Sequence, residues 1–212
     1  MSLFGSDSES ELETTPKGLH HFPSLISPSI QSTLSLALST ESFFANTNQS
    51  MLFSSPTHPF PQFLESLLEL LPQVLLAKIR PPLHAQLFDN PAQTNIIMNL
   101  YRPGEGISPH VDLPNRYQNG IIGLSLLSTT TMDFTRGSDT ISIILRPGDV
   151  YILEGEARYD WVHGIASRDR DVVMENGVER TIMRGTRMSI TVRRMVEGAD
   201  CVGEEELTKR DG

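Results

Sequence analysis

Two short stretches of the 212-residue chain carry metal-binding residue types at a useful spacing. In "ISPHVD", His110 and Asp112 stand two residues apart, which puts them on one face of an extended segment. His163 follows in "RYDWVHGI", fifty-one residues beyond Asp112. Two neutral imidazoles and one carboxylate occupy one face of an octahedral Fe(II), bring its charge to about +1, and leave the opposite face open. Oxygenase chemistry at such a centre needs an electron source, and a 2-oxo acid chelating through its carboxylate and keto oxygens supplies one. The far carboxylate of that acid calls for a cation in a low-dielectric pocket, a task suited to a buried Arg. Each piece is weak alone. A His-x-Asp pair arises by accident, and an isolated His such as His163 is more often structural than a ligand.

A third stretch, "RMSITVRR" at residues 187 to 194, has apolar Met188, Ile190 and Val192 at alternate positions and so reads as a β-strand. Arg187, Ser189, Thr191 and Arg193 share its other face, which is polar throughout. That face looks either into solvent or into a pocket needing two fixed positive charges.

The elements that must position these residues divide near Pro91. Before it the chain reads as mainly helical. One helix begins near Ser29, and a second has an apolar stripe through Phe63, Leu67, Leu70 and Leu71, bent or interrupted at Pro72. After it come "TNIIMNLY", "GIIGLSLL", "TMDF", "ISIIL", "DVYILEG" and "RMSITVRRM", bounded by "RPGEG", "RGSD" and "RPGD" turns. Short strands at this spacing argue for a sandwich or jelly roll rather than a parallel sheet. The expected class is α+β, mainly β: a double-stranded β-helix (jelly-roll) core over 91–196, braced by helices within 19–90. Together these form one domain over 19–196, between acidic flexible tails at 1–18 and 197–212. The segment "SRDRDVVMENGVERTIMRGT" reads as a solvated hairpin or a loop over the site. His20, His21, His58 and His84 lack iron-type partner spacing and read as surface or structural.

The net charge of -9 would discourage nucleic-acid binding if it were evenly spread. Residues 90 to 195, however, hold twelve acidic and twelve basic residues, and all twelve basic ones are Arg. A single Cys201 excludes an internal disulfide, and "MSLFGSDSESELETT" is unlike a signal peptide. An intracellular protein, cytoplasmic and/or nuclear, is expected. The longest apolar stretch, "LLELLPQVLLA", contains Glu69 and Pro72 and is too short to span a bilayer.

Taken together, "NLYRPGEGISPHVD", "RYDWVHGI" and "RMSITVR" resemble the AlkB-like family of Fe(II)- and 2-oxoglutarate-dependent dioxygenases, over roughly residues 95 to 195. The resemblance implies His110, Asp112 and His163 as catalytic iron ligands, with Fe(II), 2-oxoglutarate and O2 as the reacting set. It implies hydrogen bonds to 2-oxoglutarate from Asn99 and Tyr101, and apolar contact from Ile107. Arg187 would hold the far carboxylate, and Arg193 would sit near the iron-bound carboxylate and Asp112. Ser189 and Thr191 lie between the two arginines, Ser189 standing where bacterial members have Asn. If "RYDWVHG" is extended, Tyr159 and Trp161 share a face with His163, which admits a base-stacking role beside ordinary packing. Arg158 would contact substrate phosphate or pair with Asp160 or Glu156. The wording is most similar to the AlkB domain of the tRNA wobble-uridine hydroxylating branch. The expected substrate is therefore a modified or methylated nucleic-acid base, tRNA or RNA ahead of alkylated DNA, delivered by a partner protein given the low positive charge. A protein side chain or small molecule is the alternative substrate. An interaction module that has lost catalysis is a third reading, opposed by the intact ligand set.

Overall fold

Residues 94–101 alternate between side chains that suit a core and side chains that suit a polar pocket, and this alternation runs through the whole architecture. The computed structural model describes residues 15–199 except 42, 55–58, 91 and 176. His58, Cys201 and most of both acidic tails therefore lie outside the described residues. The elements in chain order are β1 (Leu19–Phe22), α1 (Pro28–Thr40), β2 (Gln49–Phe53), α2 (Gln62–Leu75), α3 (Pro81–Phe88), β3 (Thr94–Tyr101), β4 (Ile107–His110), β5 (Ile121–Leu126), β6 (Thr130–Arg136), β7 (Asp139–Leu145), β8 (Val150–Leu153), α4 (Gly155–Tyr159), β9 (Val162–Ile165), β10 (Arg170–Glu175), β11 (Val178–Met183) and β12 (Arg187–Arg194).

The strands form two antiparallel sheets and a separate hairpin. The six-stranded sheet runs β1-β8-β5-β12-β3-β2, the four-stranded sheet runs β4-β9-β6-β7, and β10 pairs with β11 alone. This is the jelly-roll arrangement expected of the mainly β sequence. On the outer face of the larger sheet, Ile96, Met98, Met188, Ile190 and Val192 pack against Leu34 and Leu38 of α1, Leu64, Leu67 and Leu71 of α2, and Leu83 and Leu87 of α3. Between the two sheets lies a smaller core that includes Phe134, Leu145, Leu153 and Trp161.

Three local expectations change. α2 continues through Pro72 to Leu75 without interruption. The missing N–H of Pro72 removes one helix bond, but Leu67, Leu71 and Leu75 remain buried on one stripe, and His84 Nε2 donates to the Pro72 carbonyl at 3.0 Å. The first 90 residues also contribute strands β1 and β2, each held by pairing to a distant strand, β8 and β3 respectively. Residues 155–159 form helix α4, so the expected extended face joining Tyr159, Trp161 and His163 does not exist. The segment after β9 forms the β10–β11 hairpin. None of the described helices is long and apolar enough to cross a membrane.

Candidate active site

Strands β4 and β9 are neighbours in the smaller sheet, with His110 opposite His163. Close approach needs Gly164, where a Cβ would come within 3.0 Å of Pro109 and the Ile107 carbonyl. Asp112 follows β4 by two residues, and the ligand-type atoms of His110, Asp112 and His163 all lie within 4.8 Å of one another. Among the described residues this is the one such group of His, Cys, Asp or Glu. His110 Nδ1 lies 2.9 Å from the Ser108 carbonyl and must donate to it, the arrangement that presents Nε2 as the ligand atom. His163 Nε2 is 3.5 Å from Asp112 Oδ2. Burial pushes the His163 pKa down to about 4 against the pull of Asp112, which leaves the imidazole neutral at neutral pH. Burial raises the Asp112 pKa, but Arg193 and then His163 outweigh it and hold the carboxyl below its usual range. A neutral His163 imidazole and an ionised Asp112 carboxylate are the protonation states that metal binding requires.

The polar face of β12 points inward. At its far end, Arg193 Nη1 donates to Asp112 Oδ1 at 2.5 Å, while Nε and Nη2 both donate to Asn95 Oδ1 at 3.0 and 2.7 Å. The Arg193 guanidinium stacks on Tyr117 at 3.8 Å. At the near end, Arg187 Nε donates to Ser125 Oγ at 3.1 Å, and the guanidinium lies 5.3 Å from the Tyr101 ring. Arg187 Nη2 is buried and has no partner among the described residues. Between the two, Ser189 and Arg187 both lie near the Tyr101 hydroxyl, and Thr191 lies near that of Tyr151. Asn99 Oδ1 is taken by Gln49 Nε2 at 2.8 Å.

One cavity of about 100 Å³ is lined by His110, Asp112 and His163 together with Asn99, Tyr101, Ile107, Arg187, Ser189, Thr191 and Arg193. Sequence reasoning missed Gln49, Met132 and Tyr151 in its wall. Gln49 sits in a strand hidden within a segment read as helical. Tyr151 was legible as the one hydroxyl in the apolar run of "DVYILEG". Four of the lining residues, Gln49, Asn99, Tyr101 and Ile107, also border an adjoining groove of about 480 Å³ with Asn48, Glu105 and Ser167.

The candidate substrate residues are redistributed. Arg158 is 1% exposed and donates to backbone carbonyls, so it meets neither a substrate phosphate nor Asp160 nor Glu156. Trp161 is buried beneath Arg136, whose guanidinium is 4.6 Å from the ring. Tyr159 alone stays open to solvent, its ring 4.8 Å from the Arg158 guanidinium. Of the other histidines, His20 and His21 pair with Glu154 and Asp149.

The donor set fits Fe(II), and Arg187, which lines the same cavity and whose buried Nη2 has no partner among the described residues, fits the far carboxylate of a 2-oxo diacid. A sequence profile described as "2OG-Fe(II) oxygenase superfamily" matches residues 29–193. The chain belongs to the 2OG-Fe(II) oxygenase superfamily. Within it the chain is AlkB-like. It is 40% identical over 140 residues to the uncharacterized protein L905 of Acanthamoeba polyphaga mimivirus, a match covering 65% of this chain and 59% of that one. It is 34% identical over 125 residues to the tRNA (carboxymethyluridine(34)-5-O)-methyltransferase alkbh8 of Xenopus tropicalis, covering 52% of this chain and 20% of that one. The chain thus spans less than two thirds of these relatives. A prolyl-4-hydroxylase from Pseudomonas putida has the same fold, with a TM-score of 0.55 at 13% identity, covering 85% of this chain and 94% of that one. The His-Asp-His donor set of this chain fits the Fe(II) after which that superfamily is described.

Proposed function

We propose that the described domain hydroxylates or demethylates a modified nucleic-acid base, RNA or tRNA in preference to DNA. The carrying observation is one cavity with a His-Asp-His donor set at one end and a buried, unpartnered guanidinium nitrogen at the other. In this reading His110, Asp112 and His163 hold Fe(II). Arg187 receives the far carboxylate of 2-oxoglutarate, with the Tyr101 hydroxyl beside it. Arg193 keeps Asp112 ionised and aimed. Thr191 and Tyr151 close the wall, and Ile107 adds apolar contact. Asn99 reaches the cosubstrate only through the amide that Gln49 leaves free, and Ser189 acts by orienting Tyr101. Bound Fe(II) with 2-oxoglutarate and O2 supplies oxidation of an unactivated C–H bond, with succinate and carbon dioxide as co-products.

The nucleic-acid reading is supported by the tRNA-modifying relative and by the groove that adjoins the cavity. Asn48 and Gln49 place carboxamide side chains along that groove, groups that hydrogen-bond a base edge without requiring charge. The net charge of -9 offers little general attraction to phosphate, and the reading therefore includes delivery of the substrate by a partner protein. Anaerobic titration with Fe(II) and 2-oxoglutarate should give the weak visible charge-transfer band of the ternary complex. Aerobic incubation with tRNA, methylated oligonucleotides and peptides, read by product mass, should give oxygen gain or methyl loss on the nucleic acid. Product on peptides alone would overturn the substrate, and absence of both ligands would overturn the enzyme.

A further inference from the structure

Arg158 is the largest fully buried side chain in the described structure, and among the described residues it makes no direct ion pair, the nearest acting negative charge being that of Asp112. Nη1 donates to the Asp112 carbonyl at 2.8 Å, and Nη2 donates to the Tyr117 carbonyl at 3.2 Å and the Leu113 carbonyl at 3.4 Å. Its Nε has no partner among the described residues. A buried guanidinium without a direct ion pair is costly, and packing alone would be served better by an apolar side chain. The acceptors are also informative: all three belong to the segment that begins at Asp112.

Asp112 is held from two sides. Arg193 binds its carboxylate and stacks on Tyr117, while Arg158 binds its main-chain carbonyl and that of the same Tyr117. Arg158 also lies in the last turn of helix α4, which only Asp160 and Trp161 separate from β9 and His163. It therefore ties the segment carrying one carboxylate ligand to the segment carrying one imidazole ligand, a link that the sheet pairing of β4 with β9 does not extend to Asp112.

We infer that Arg158 is a positioning residue for the metal centre: it fixes the backbone of Asp112 relative to His163, so that the carboxylate meets the metal in one preset geometry. The inference rests on the proposed ligand set. A planar guanidinium holds its donors in a fixed fork that spans carbonyls several residues apart, whereas an ammonium offers its three donors from a single nitrogen with no fixed direction. Loss of groups that hold ligands in this indirect way weakens metal affinity by about ten- to a hundred-fold.

The test is Mn(II) binding, followed by titration calorimetry and by the Mn(II) electron spin resonance signal, in the wild type, Arg158→Lys, Arg158→Gln and the Asp112→Ala control. Native circular dichroism and thermal melting are recorded for each. The expected result is native dichroism in Arg158→Lys with Mn(II) affinity weakened about tenfold or more. The apparent requirement for 2-oxoglutarate, measured at saturating metal, should change much less. Arg158→Gln, which keeps one donor and no charge, should be weaker still. Wild-type Mn(II) affinity in either folded Arg158 variant overturns the inference. Loss of native dichroism in both variants also overturns it, because it assigns Arg158 to the fold alone. Failure of the wild type itself to bind Mn(II) refutes instead the ligand set proposed above, so the two failures are distinct.

Discussion

Gly123→Ala should close the cosubstrate cavity without touching a charged residue. Gly123 of β5 lies opposite Tyr151 of β8 and beside Thr191 of β12. A Cβ built on it would overlap the Tyr151 ring at Cζ, Cε1 and Oη. That ring is buried, with its hydroxyl near Thr191, and forms part of the wall of a cavity of only about 100 Å³. The methyl must displace a rigid aromatic group, and overpacking of this kind costs about 1–3 kcal/mol. The open side for the ring is the cavity, so most of the penalty should fall on the complex and little on the ligand-free fold. At about 1.4 kcal/mol per decade, this is roughly a five- to hundred-fold weakening of 2-oxoglutarate binding. Calorimetric titration of 2-oxoglutarate into Mn(II)-saturated protein measures it, and Gly123→Ala with Tyr151→Leu should recover most of the loss. Unchanged 2-oxoglutarate affinity with a lowered melting temperature would refute the reasoning, since it would mean that the ring moves away from the cavity.

Asp112→Ala should abolish succinate formation and reduce Mn(II) affinity severely, because two imidazoles remain and Arg193 loses its buried counter-ion; near-normal turnover would remove Asp112 from the ligand set. Arg187→Ala should cost about 2–5 kcal/mol in 2-oxoglutarate affinity, the usual loss on truncating one partner of a buried charged pair, with metal affinity little changed. Equal losses of both would point to misfolding. Away from the site, buried Asp171 accepts from Arg184, Thr131 and Arg168, which against its burial hold its pKa at about 2. Its folded pKa lies below the unfolded value, so its contribution is complete above about pH 4 and is lost as pH falls toward 2. That contribution is about 2 kcal/mol. Denaturant melts across this window should show the loss in the wild type, while Asp171→Asn should be less stable by roughly 3–5 kcal/mol at neutral pH and flat in the same window.

The parts legible in the sequence were those written in a period of two. The β12 pattern separated Met188, Ile190 and Val192 from Arg187, Ser189, Thr191 and Arg193, and the structure puts the first set against the helices and the second in the cavity. β3 was bounded to the residue by the same alternation. Strands β1 and β2 were not legible, because four or five residues carry little pattern and their stability comes from pairing with β8 and β3. Gln49 could not be found for the same reason. Arg158 was misread for another: with Glu156 and Asp160 two residues away on either side it reads as a charge paired with them or offered to substrate, and only the return of the Asp112–Tyr117 segment over α4 buries it.

The polar interior of the sandwich explains why the helices are needed at all. Three buried arginines, Arg158, Arg187 and Arg193, occupy space that a sandwich ordinarily fills with apolar side chains, and each carries a desolvation cost. The apolar core between the sheets is correspondingly small, confined to the part around Phe134, Leu145 and Trp161. The larger apolar cluster lies outside the barrel, where α1, α2 and α3 cover the back of β3, β5 and β12. Each of these strands therefore has one face committed to stability and the other to chemistry. Shortening a leucine on the helical side, such as Leu67 or Leu71, lowers stability without entering the cavity, whereas any change on the inner face alters the site directly. The division also fixes register: a slip of one residue in β12 would carry Arg187 and Arg193 into the helical core and Met188 and Ile190 into the cavity, so the fold and the site depend on the same pairing of β12 with β3 and β5.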